Sequence, residues 1–178
     1  CALYCALCHA YPTIVMHGIA SNKYQLEEFS EELSKEIDLS DSKIYNMEIK
    51  NGEWTSVFMN LNRQCRIFSE NINNLNITEE KINLIGFSQG GLIARCYVEK
   101  YSHKIKNVNT LITIGSPNMG IFIPSMSILS NIINPIKEYW KNPYKYNNYI
   151  ETNKFLVYIN NEKLHEDYAN YKNNIIKL

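Results

Sequence analysis

Residues 82–91 read Ile-Asn-Leu-Ile-Gly-Phe-Ser-Gln-Gly-Gly, and this run indicates how the rest of the chain is arranged. Its first four residues are typical of a short buried strand, and an apolar helical pattern begins near Gly90. A G-x-S-x-G pattern between a strand and a helix predicts a sharp bend, where a side chain at Gly86 or Gly90 would clash. We expect this bend to expose the hydroxyl of Ser88 above the end of a sheet.

The alternation of strand and helix continues on both sides of the bend. Short apolar runs predict strands, and apolar residues spaced three and four apart predict helices with one buried face. The predicted order β-α-β-α-β-α-β consists of strands at 12–16, 43–49, 82–85 and 108–114 and of helices at 23–37, 57–72 and 90–101. We expect Ser21 or Asn22 to cap the first helix. Because right-handed crossovers pack such units side by side, the predicted fold class is α/β, with a mainly parallel sheet flanked by helices.

The alternation ends after Pro117, where residues 121–133 are strongly apolar and almost uncharged. We interpret residues 121–165 as an apolar helical insertion, or lid, and not as another β-α unit. Two interpretations of its apolar side chains remain open: the walls of a lipid-binding groove, or an ordinary core or interface helix. A last helical pattern covers residues 167–178.

The first ten residues are apolar and uncharged, and they end in small residues at Cys8 and Ala10. This pattern is typical of the end of a secretory signal peptide that is cleaved after Ala10, and it leaves residues 11–178 as a partial domain of this fold. The alternative is a short buried strand. No other run approaches the roughly 18 apolar residues that a membrane span needs, so we expect no integral membrane span.

The charge balance argues against polyanionic partners. The chain has 18 basic and 18 acidic residues and a formal net charge of +0. No net field therefore attracts a nucleic acid or an anionic membrane surface.

Beyond the first ten residues the chain has two cysteines, Cys65 and Cys96, both on apolar faces of predicted helices. In an exported protein they could form a disulfide, and as free thiols they would act as small apolar side chains; both alternatives remain open. Asn76 begins the sequon Asn-Ile-Thr in a polar loop before a strand, which predicts an exposed glycosylation site.

A serine at such a bend acts as a nucleophile only if fixed donors stabilise the negative charge that develops on the carbonyl oxygen. The amide of Gln89 follows the serine at the start of a helix, and the second donor comes from the loop after an earlier strand. That loop begins at His17-Gly18, and we predict the amide of Ile19 as the second donor. We expect His17 to be structural, because the catalytic histidine follows the serine in enzymes of this type.

Several stretches together resemble the palmitoyl-protein thioesterases, a family with the α/β-hydrolase fold. They are the strand ending at His17-Gly18, the run Gly86-Phe87-Ser88-Gln89-Gly90-Gly91, residues 111–122, a Tyr-Trp-x-x-Pro stretch at 139–143 and a helix with an Ile-Asn-x-Glu turn at 155–162. Cytosolic acyl-protein thioesterases also carry the Gly-Phe-Ser-Gln-Gly-Gly run, but they lack the leader and the Tyr-Trp-x-x-Pro stretch. The resemblance, which runs from Tyr11 to the C-terminus, therefore favours the lysosomal or secreted type.

The resemblance implies that Ser88 attacks the thioester between a fatty acyl chain and a protein cysteine, and that water then hydrolyses the acyl-serine intermediate. The implied partners are S-acylated proteins or peptides and their acyl chains, and no metal or cofactor is implied. The acyl chain would lie against apolar side chains of the insertion. Our candidates for these contacts are Ile121, Phe122, Met126 and Leu129.

The acid and the histidine of the family have no counterpart in this chain, and we expect both beyond Leu178. His103 and His165 are expected at the surface, and Asp167 as a helix cap. The 178-residue chain alone is therefore expected to have little or no turnover. If this chain is itself the product of the gene, we expect a non-catalytic remnant that binds acyl chains. Within the enzymes, a lipase or carboxylesterase is the alternative, because the same serine and amides serve oxygen esters.

Overall fold

The computed structural model describes residues 11–36, 43–126 and 133–163. Within these ranges four strands form one sheet in the order β2-β1-β3-β4, and every pair of neighbours is parallel. The strands are β1 (Thr13–Met16), β2 (Ile44–Met47), β3 (Lys81–Phe87) and β4 (Asn107–Ile114). The predicted parallel sheet is therefore confirmed. Because β2 and β3 lie on opposite sides of β1, the strand order reverses there, and ligands of such sheets bind at the carboxyl edge of that point.

Helices connect the strands and follow them. The described helices are α1 (Glu27–Glu36), α2 (Glu53–Phe58), α3 (Leu61–Asn74), α4 (Gln89–Lys100), α5 (Asn134–Tyr139), α6 (Tyr146–Thr152) and α7 (Leu156–Ile159), with 3-10 turns at Lys23–Leu26, Pro124–Met126 and Pro143–Lys145. Asn22 caps the turn before α1, because its side chain accepts a hydrogen bond from the amide of Tyr24 at 3.1 Å. None of the described helices has the length and apolar content that crossing a membrane requires.

The sheet buries apolar side chains on both faces, because successive residues of a strand point to opposite sides. On one face Val15 and Ile85 pack with Leu33 of α1. On the other face Ile14 and Leu84 belong to a larger apolar cluster that also contains side chains of α3, α4, α5 and α7. The described part of the chain therefore has three layers, with the sheet in the middle.

The predicted single helix at 57–72 is two helices in the structure, so this prediction is wrong at its start. Met59 is extended, with φ −93° and ψ 135°, and α3 begins only at Leu61. The side chain of Asn60 accepts a hydrogen bond from the amide of Arg63 at 2.9 Å, and the carboxylate of Glu138 accepts one from the amide of Leu61. Apolar spacing continues across this break, but Asn60 is a strong N-cap and starts a new helix.

The two cysteines of the body are buried free thiols in the structure. The thiol of Cys65 lies 3.8 Å from the carbonyl oxygen of Ile93 on α4, and burial raises its pKa well above the usual value. Of the two alternatives, the structure has the small apolar side chains and not the disulfide. The predicted leader at 1–10 and the predicted helix at 167–178 lie outside the described residues.

Glu99 lies on α4, and it is buried, with 1% of its surface exposed. Its Oε1 accepts a hydrogen bond from Nε of Arg95 at 3.0 Å, while its Oε2 has no hydrogen-bond partner among the described residues. Burial raises the pKa of Glu99 to about 7, against the opposing effect of Arg95. Burial likewise raises the pKa of Glu138 to about 7.

The first turn of α4 lies very close to the carboxyl ends of β1 and β3. A Cβ atom at Gly90 would lie 2.4 Å from the carbonyl oxygens of Met16 and His17. A Cβ atom at Gly86 would lie 2.4 Å from Cα of Gly91. Since these neighbours are main-chain atoms inside the sheet and helix, they cannot move aside, and this is the steric reason for glycine at both positions.

We predict that Gly90→Ala lowers the free energy of unfolding by about 3 kcal/mol, because the added methyl group meets the end of β1. Gly115→Ala is the matched control: Gly115 has φ +59°, and no atom lies within 4 Å of the position of its Cβ. Its substitution should cost only about 1 kcal/mol, from the strained backbone alone. Urea denaturation measures both values, and equal losses would contradict the steric explanation.

We also predict that Glu99 contributes a gain in the free energy of unfolding as the pH falls from 8 to 5. A carboxyl group whose folded pKa of about 7 exceeds its unfolded value takes up a proton on folding in this range, so the folded state gains stability at the lower pH. Glu99→Gln should reduce this gain by at most about 3 kcal/mol, measured by urea denaturation at both pH values. The exposed Glu70→Gln should leave the gain unchanged, and an unaltered gain in Glu99→Gln would disprove the role of Glu99.

Candidate active site

Ser88 lies between the last residue of β3 and the first residue of α4. Its backbone has φ 49° and ψ −121°, a strained conformation that costs about 1–3 kcal/mol. Main-chain hydrogen bonds hold it there: its amide donates to the carbonyl oxygen of Ile114 at 2.8 Å, and its own carbonyl accepts from Gly91 at 3.1 Å. The residue is exposed, so its hydroxyl is accessible from outside the sheet.

The loop after β1 contacts the side chain of Ser88. A Cβ atom at Gly18 would lie 3.1 Å from Cβ and 3.7 Å from Oγ of Ser88. Since glycine has no side chain, the main chain itself lies next to the serine. Ile19 follows directly, so the two amides that we predict as donors, those of Ile19 and Gln89, belong to the two segments that meet at Ser88.

Ser56 of α2 joins these two segments, and no sequence pattern pointed to it. Its hydroxyl accepts a hydrogen bond from the amide of Ala20 at 2.8 Å and donates one to the carbonyl oxygen of Glu53 at 2.6 Å. Its carbonyl oxygen accepts one from Nε2 of Gln89 at 2.9 Å. Ser56 is 2% exposed, so little water competes for these hydrogen bonds.

The side chain of Gln89 is buried beneath the bend. Its Nε2 also lies 3.3 Å from Oε1 of Gln64, and its Oε1 accepts a hydrogen bond from the hydroxyl of Tyr139 at 3.4 Å. A buried amide is costly unless such partners are in place. The residue after the serine therefore ties the start of α4 to α2, α3 and α5.

His17, at the end of β1, is 1% exposed. Its Nδ1 donates a hydrogen bond to the carbonyl oxygen of Gly18 at 2.7 Å, and its Nε2 is buried with no partner among the described residues. Burial lowers the pKa of His17 below its usual value. His17 therefore forms part of the support of the Gly18 loop.

Within the described residues no histidine donates to or accepts from the hydroxyl of Ser88. His103 is exposed and lies beyond the far end of α4, a helix of 12 residues that measures about 18 Å. His165 lies outside the described residues. No three His, Cys, Asp or Glu side chains of the described ranges come together in a way that could hold a metal ion.

The loop after β4 begins against the bend. The hydroxyl of Ser116 lies 3.4 Å from the carbonyl oxygen of Gly86. A Cβ atom at Gly91 would lie 1.9 Å from the same hydroxyl oxygen of Ser116. Met119 is three residues further on, and three extended residues span about 10 Å. The residues that follow Met119 therefore lie at the same edge of the sheet as Ser88.

An open cavity of about 390 Å³ is found in this region, lined mainly by Met119, Ile121, Phe122, Lys141, Pro143 and Tyr146. The ring of Phe122 packs edge-on against Trp140, with 5.5 Å between the centroids. Two of the predicted groove residues, Ile121 and Phe122, thus line the same cavity. Met126 ends the turn Pro124–Met126, and Leu129 lies outside the described residues.

Asn76 lies just after α3 in an exposed turn with φ 49°, and Thr78 is exposed as well. This turn precedes the amino end of β3, whereas Ser88 follows its carboxyl end. The seven residues of β3 span about 23 Å. The sequon is therefore far from the bend.

The profile of the family described as palmitoyl protein thioesterase matches residues 12–178. The chain is 31% identical over 183 residues to palmitoyl-protein thioesterase 3 of Dictyostelium discoideum, which covers 94% of this chain and 61% of that protein. It is 27% identical over 190 residues to lysosomal thioesterase PPT2-B of Xenopus laevis, which covers 94% of this chain and 63% of that protein. The chain thus spans about three fifths of the length of these relatives.

Among solved structures, the fold is similar to that of the lin2722 gene product of Listeria innocua. The TM-score is 0.54 at 18% identity, and the superposition covers 63% of this chain and 53% of the other. At this identity the similarity concerns the fold alone. The family match, in contrast, extends over nearly the whole chain and includes the bend at Ser88. The chain therefore belongs to the palmitoyl-protein thioesterase family and has an α/β-hydrolase fold.

Proposed function

We propose that this chain belongs to a serine thioesterase that removes fatty acyl groups, such as palmitoyl, from protein cysteines. The observation that carries the proposal is the exposed Ser88, held at positive φ between β3 and α4 with the main chain of Gly18 against its side chain. The chain belongs to the palmitoyl-protein thioesterase family, and both of the relatives named above are called thioesterases. These two facts support the choice of substrate class.

In the proposed reaction Oγ of Ser88 attacks the thioester carbonyl carbon. The C–S bond breaks, the cysteine thiolate takes up the proton that the serine released, and the acyl group stays on the serine as an oxygen ester. Water then hydrolyses that ester and frees the fatty acid and the hydroxyl. The amides of Gln89 and Ile19 are assigned to the oxyanion, with Ser56 holding their segments together.

A general base is needed for both steps, and we assign it to residues beyond the described ranges. His17 is unsuitable because it is buried and its Nδ1 is hydrogen-bonded to the adjacent carbonyl oxygen of Gly18. His103 is unsuitable because α4 separates it from Ser88. The order of catalytic residues in this fold, with the acid and the histidine after the serine, agrees with this assignment.

The cavity beside the loop after β4 is assigned to the acyl chain. Its walls are mostly apolar or aromatic side chains, including those of Ile121 and Phe122, and burying methylene groups against such walls contributes about 0.8 kcal/mol for each CH₂. A long chain would therefore gain more binding energy there than a short one. Lysosomal or secreted location is proposed with this function, on the resemblance of the leader to a signal peptide and on the name of the Xenopus laevis relative.

We predict that the full-length protein hydrolyses a palmitoyl thioester and that Ser88→Ala lowers kcat/KM by at least about 10³-fold, because no other residue takes the place of the nucleophile. The release of free thiol measures the rate. Ser125→Ala, which changes an exposed serine of the loop, should retain full activity. Turnover of the Ser88→Ala protein at the wild-type rate would refute the assignment.

An assay of released palmitate, which both kinds of ester yield, distinguishes a thioesterase from a lipase or carboxylesterase. A palmitoyl oxygen ester is offered in parallel with the palmitoyl thioester. A preference for the thioester in kcat/KM supports the proposed function. Hydrolysis of the oxygen ester alone would replace it with the alternative.

We further propose that Asn76 carries an N-linked glycan in the exported protein. Expression in a eukaryotic secretory pathway should give a protein whose apparent mass falls on treatment with peptide N-glycosidase. Asn76→Gln and Thr78→Ala should abolish this shift, and Thr78→Ser should keep it, because serine also completes the sequon. An unshifted wild-type protein that has passed through the pathway would rule the site out.

A further inference from the structure

The turn that ends α7 places the polar side chains of Asn160 and Glu162 next to each other. Asn161 has φ 50°, and the amides of Asn161 and Glu162 donate to the carbonyl oxygens of Tyr158 and Val157 at 3.0 and 2.9 Å. These are the two hydrogen bonds of a Schellman helix end with its left-handed residue at Asn161. The turn brings Nδ2 of Asn160 within 3.2 Å of Oε1 of Glu162, so both side chains act as one unit.

Asn160 connects this turn to the nucleophile helix and to the loop after β4. Arg95, on α4, donates from Nη1 to Oδ1 of Asn160 at 2.7 Å and from Nη2 to the carbonyl oxygen of Ile159 at 2.5 Å. Nδ2 of Asn160 donates to the carbonyl oxygen of Asn118 at 2.9 Å. One amide side chain therefore joins the helix that begins next to Ser88 to the loop that becomes one wall of the cavity.

Glu162 connects the turn to the other wall of the cavity. Its carboxylate accepts hydrogen bonds from Nζ of Lys141 at 2.8 and 3.0 Å and from the hydroxyls of Tyr149 and Tyr146 at 2.8 and 3.1 Å. Burial alone would raise the pKa of Glu162, but the hydrogen bonds from Lys141, Tyr149 and Asn160 outweigh it and lower the pKa. The carboxylate is therefore ionised and able to bind all of these donors in mildly acidic solution.

The two walls are also joined to each other. The amide of Ile121 donates to the carbonyl oxygen of Tyr139, and the amide of Lys141 donates to that of Ile121, both at 2.9 Å. A Cβ atom at Gly120 would lie 2.8 Å from Cβ of Lys141. The walls thus form one unit, and Asn160 and Glu162 attach that unit to α4.

We infer that Asn160 and Glu162 are positioning residues that hold the walls of the acyl cavity at a fixed place relative to Ser88, so that long acyl chains are used efficiently. The inference rests on the proposed function. It assigns the positioning of the cavity walls to the Ile-Asn-x-Glu turn, and not to the nucleophile or the amides of the oxyanion hole. Ser88 lies between β3 and α4, Gly18 lies in the loop after β1, and Gln89 begins α4. The hydrogen bonds of Ser88 and Gln89 do not reach this turn. Loosening the walls should therefore weaken the use of long chains and leave the chemistry at the serine intact.

The test compares kcat/KM of the full-length protein for butyryl, octanoyl and palmitoyl thioesters. Asn160→Asp keeps the acceptor for Arg95 but places a carboxylate against the carbonyl oxygen of Asn118, and Glu162→Gln keeps the size but removes the charge that binds Lys141. Each should lower the value for the palmitoyl thioester by about tenfold and that for the butyryl thioester by less than about threefold. Glu32→Gln, which removes an exposed carboxylate paired with Lys35, should change neither.

A second measurement does not need activity. Amide hydrogen exchange at 119–122 and 141–146 should become faster in both variants, while exchange in β3 and the first turn of α4 stays at the wild-type rate. An equal loss for all chain lengths, no loss for any, or unchanged exchange at both walls would overturn the inference. General unfolding of the conservative Glu162→Gln protein would overturn it too, because Glu162 would then support the core and not the walls. A wild-type protein that cleaves none of the thioesters would refute the proposed function, and the exchange data would still decide the role of the turn.

Discussion

The close contact of main chain with main chain around Ser88 is the constraint on which the site depends. The first turn of α4 touches the ends of β1 and β3 so closely that neither Gly86 nor Gly90 has room for a Cβ atom. The strained backbone of Ser88 persists because the strand before it and the helix after it are both fixed by packing. Since parallel strands end at the same edge, the loop after β1, which contains Gly18, lies at the same edge of the sheet as Ser88.

Around this constraint, buried and half-buried polar side chains form hydrogen bonds at a few positions. Gln89 and Ser56 connect the bend to the Gly18 loop on one side. Arg95 and Asn160 connect the nucleophile helix to the later helices on the other side. Apolar packing is tolerant of small shifts, but a buried hydrogen bond is lost when its partners move by about an ångström. These few contacts therefore define the relative positions of segments that packing alone would leave adjustable.

Much of this arrangement was predictable. The four strands, their parallel pairing and the exposed bend follow from apolar runs, helical spacing and the two glycines, all of which are local patterns. The break between α2 and α3 was not predicted, because apolar residues continue through it and only the capping side chain of Asn60 ends one helix and starts the next. The contribution of Ser56 could not be predicted either, since it lies 33 residues from Gln89 in the sequence and no motif contains it.

The pattern of apolar residues and glycines is thus sufficient to establish the α/β fold and to single out Ser88, because burial of apolar surface has no direction and leaves a periodic trace along the chain. Only the folded molecule decides which polar side chains meet. Arg95 and Asn160 are 65 residues apart, and a hydrogen bond between them depends on distance and angle in space, which no spacing in the sequence encodes. The Ile-Asn-x-Glu turn shows this difference. Its motif is visible in the sequence, but its contacts form only when α4, the loop after β4 and α6 pack together.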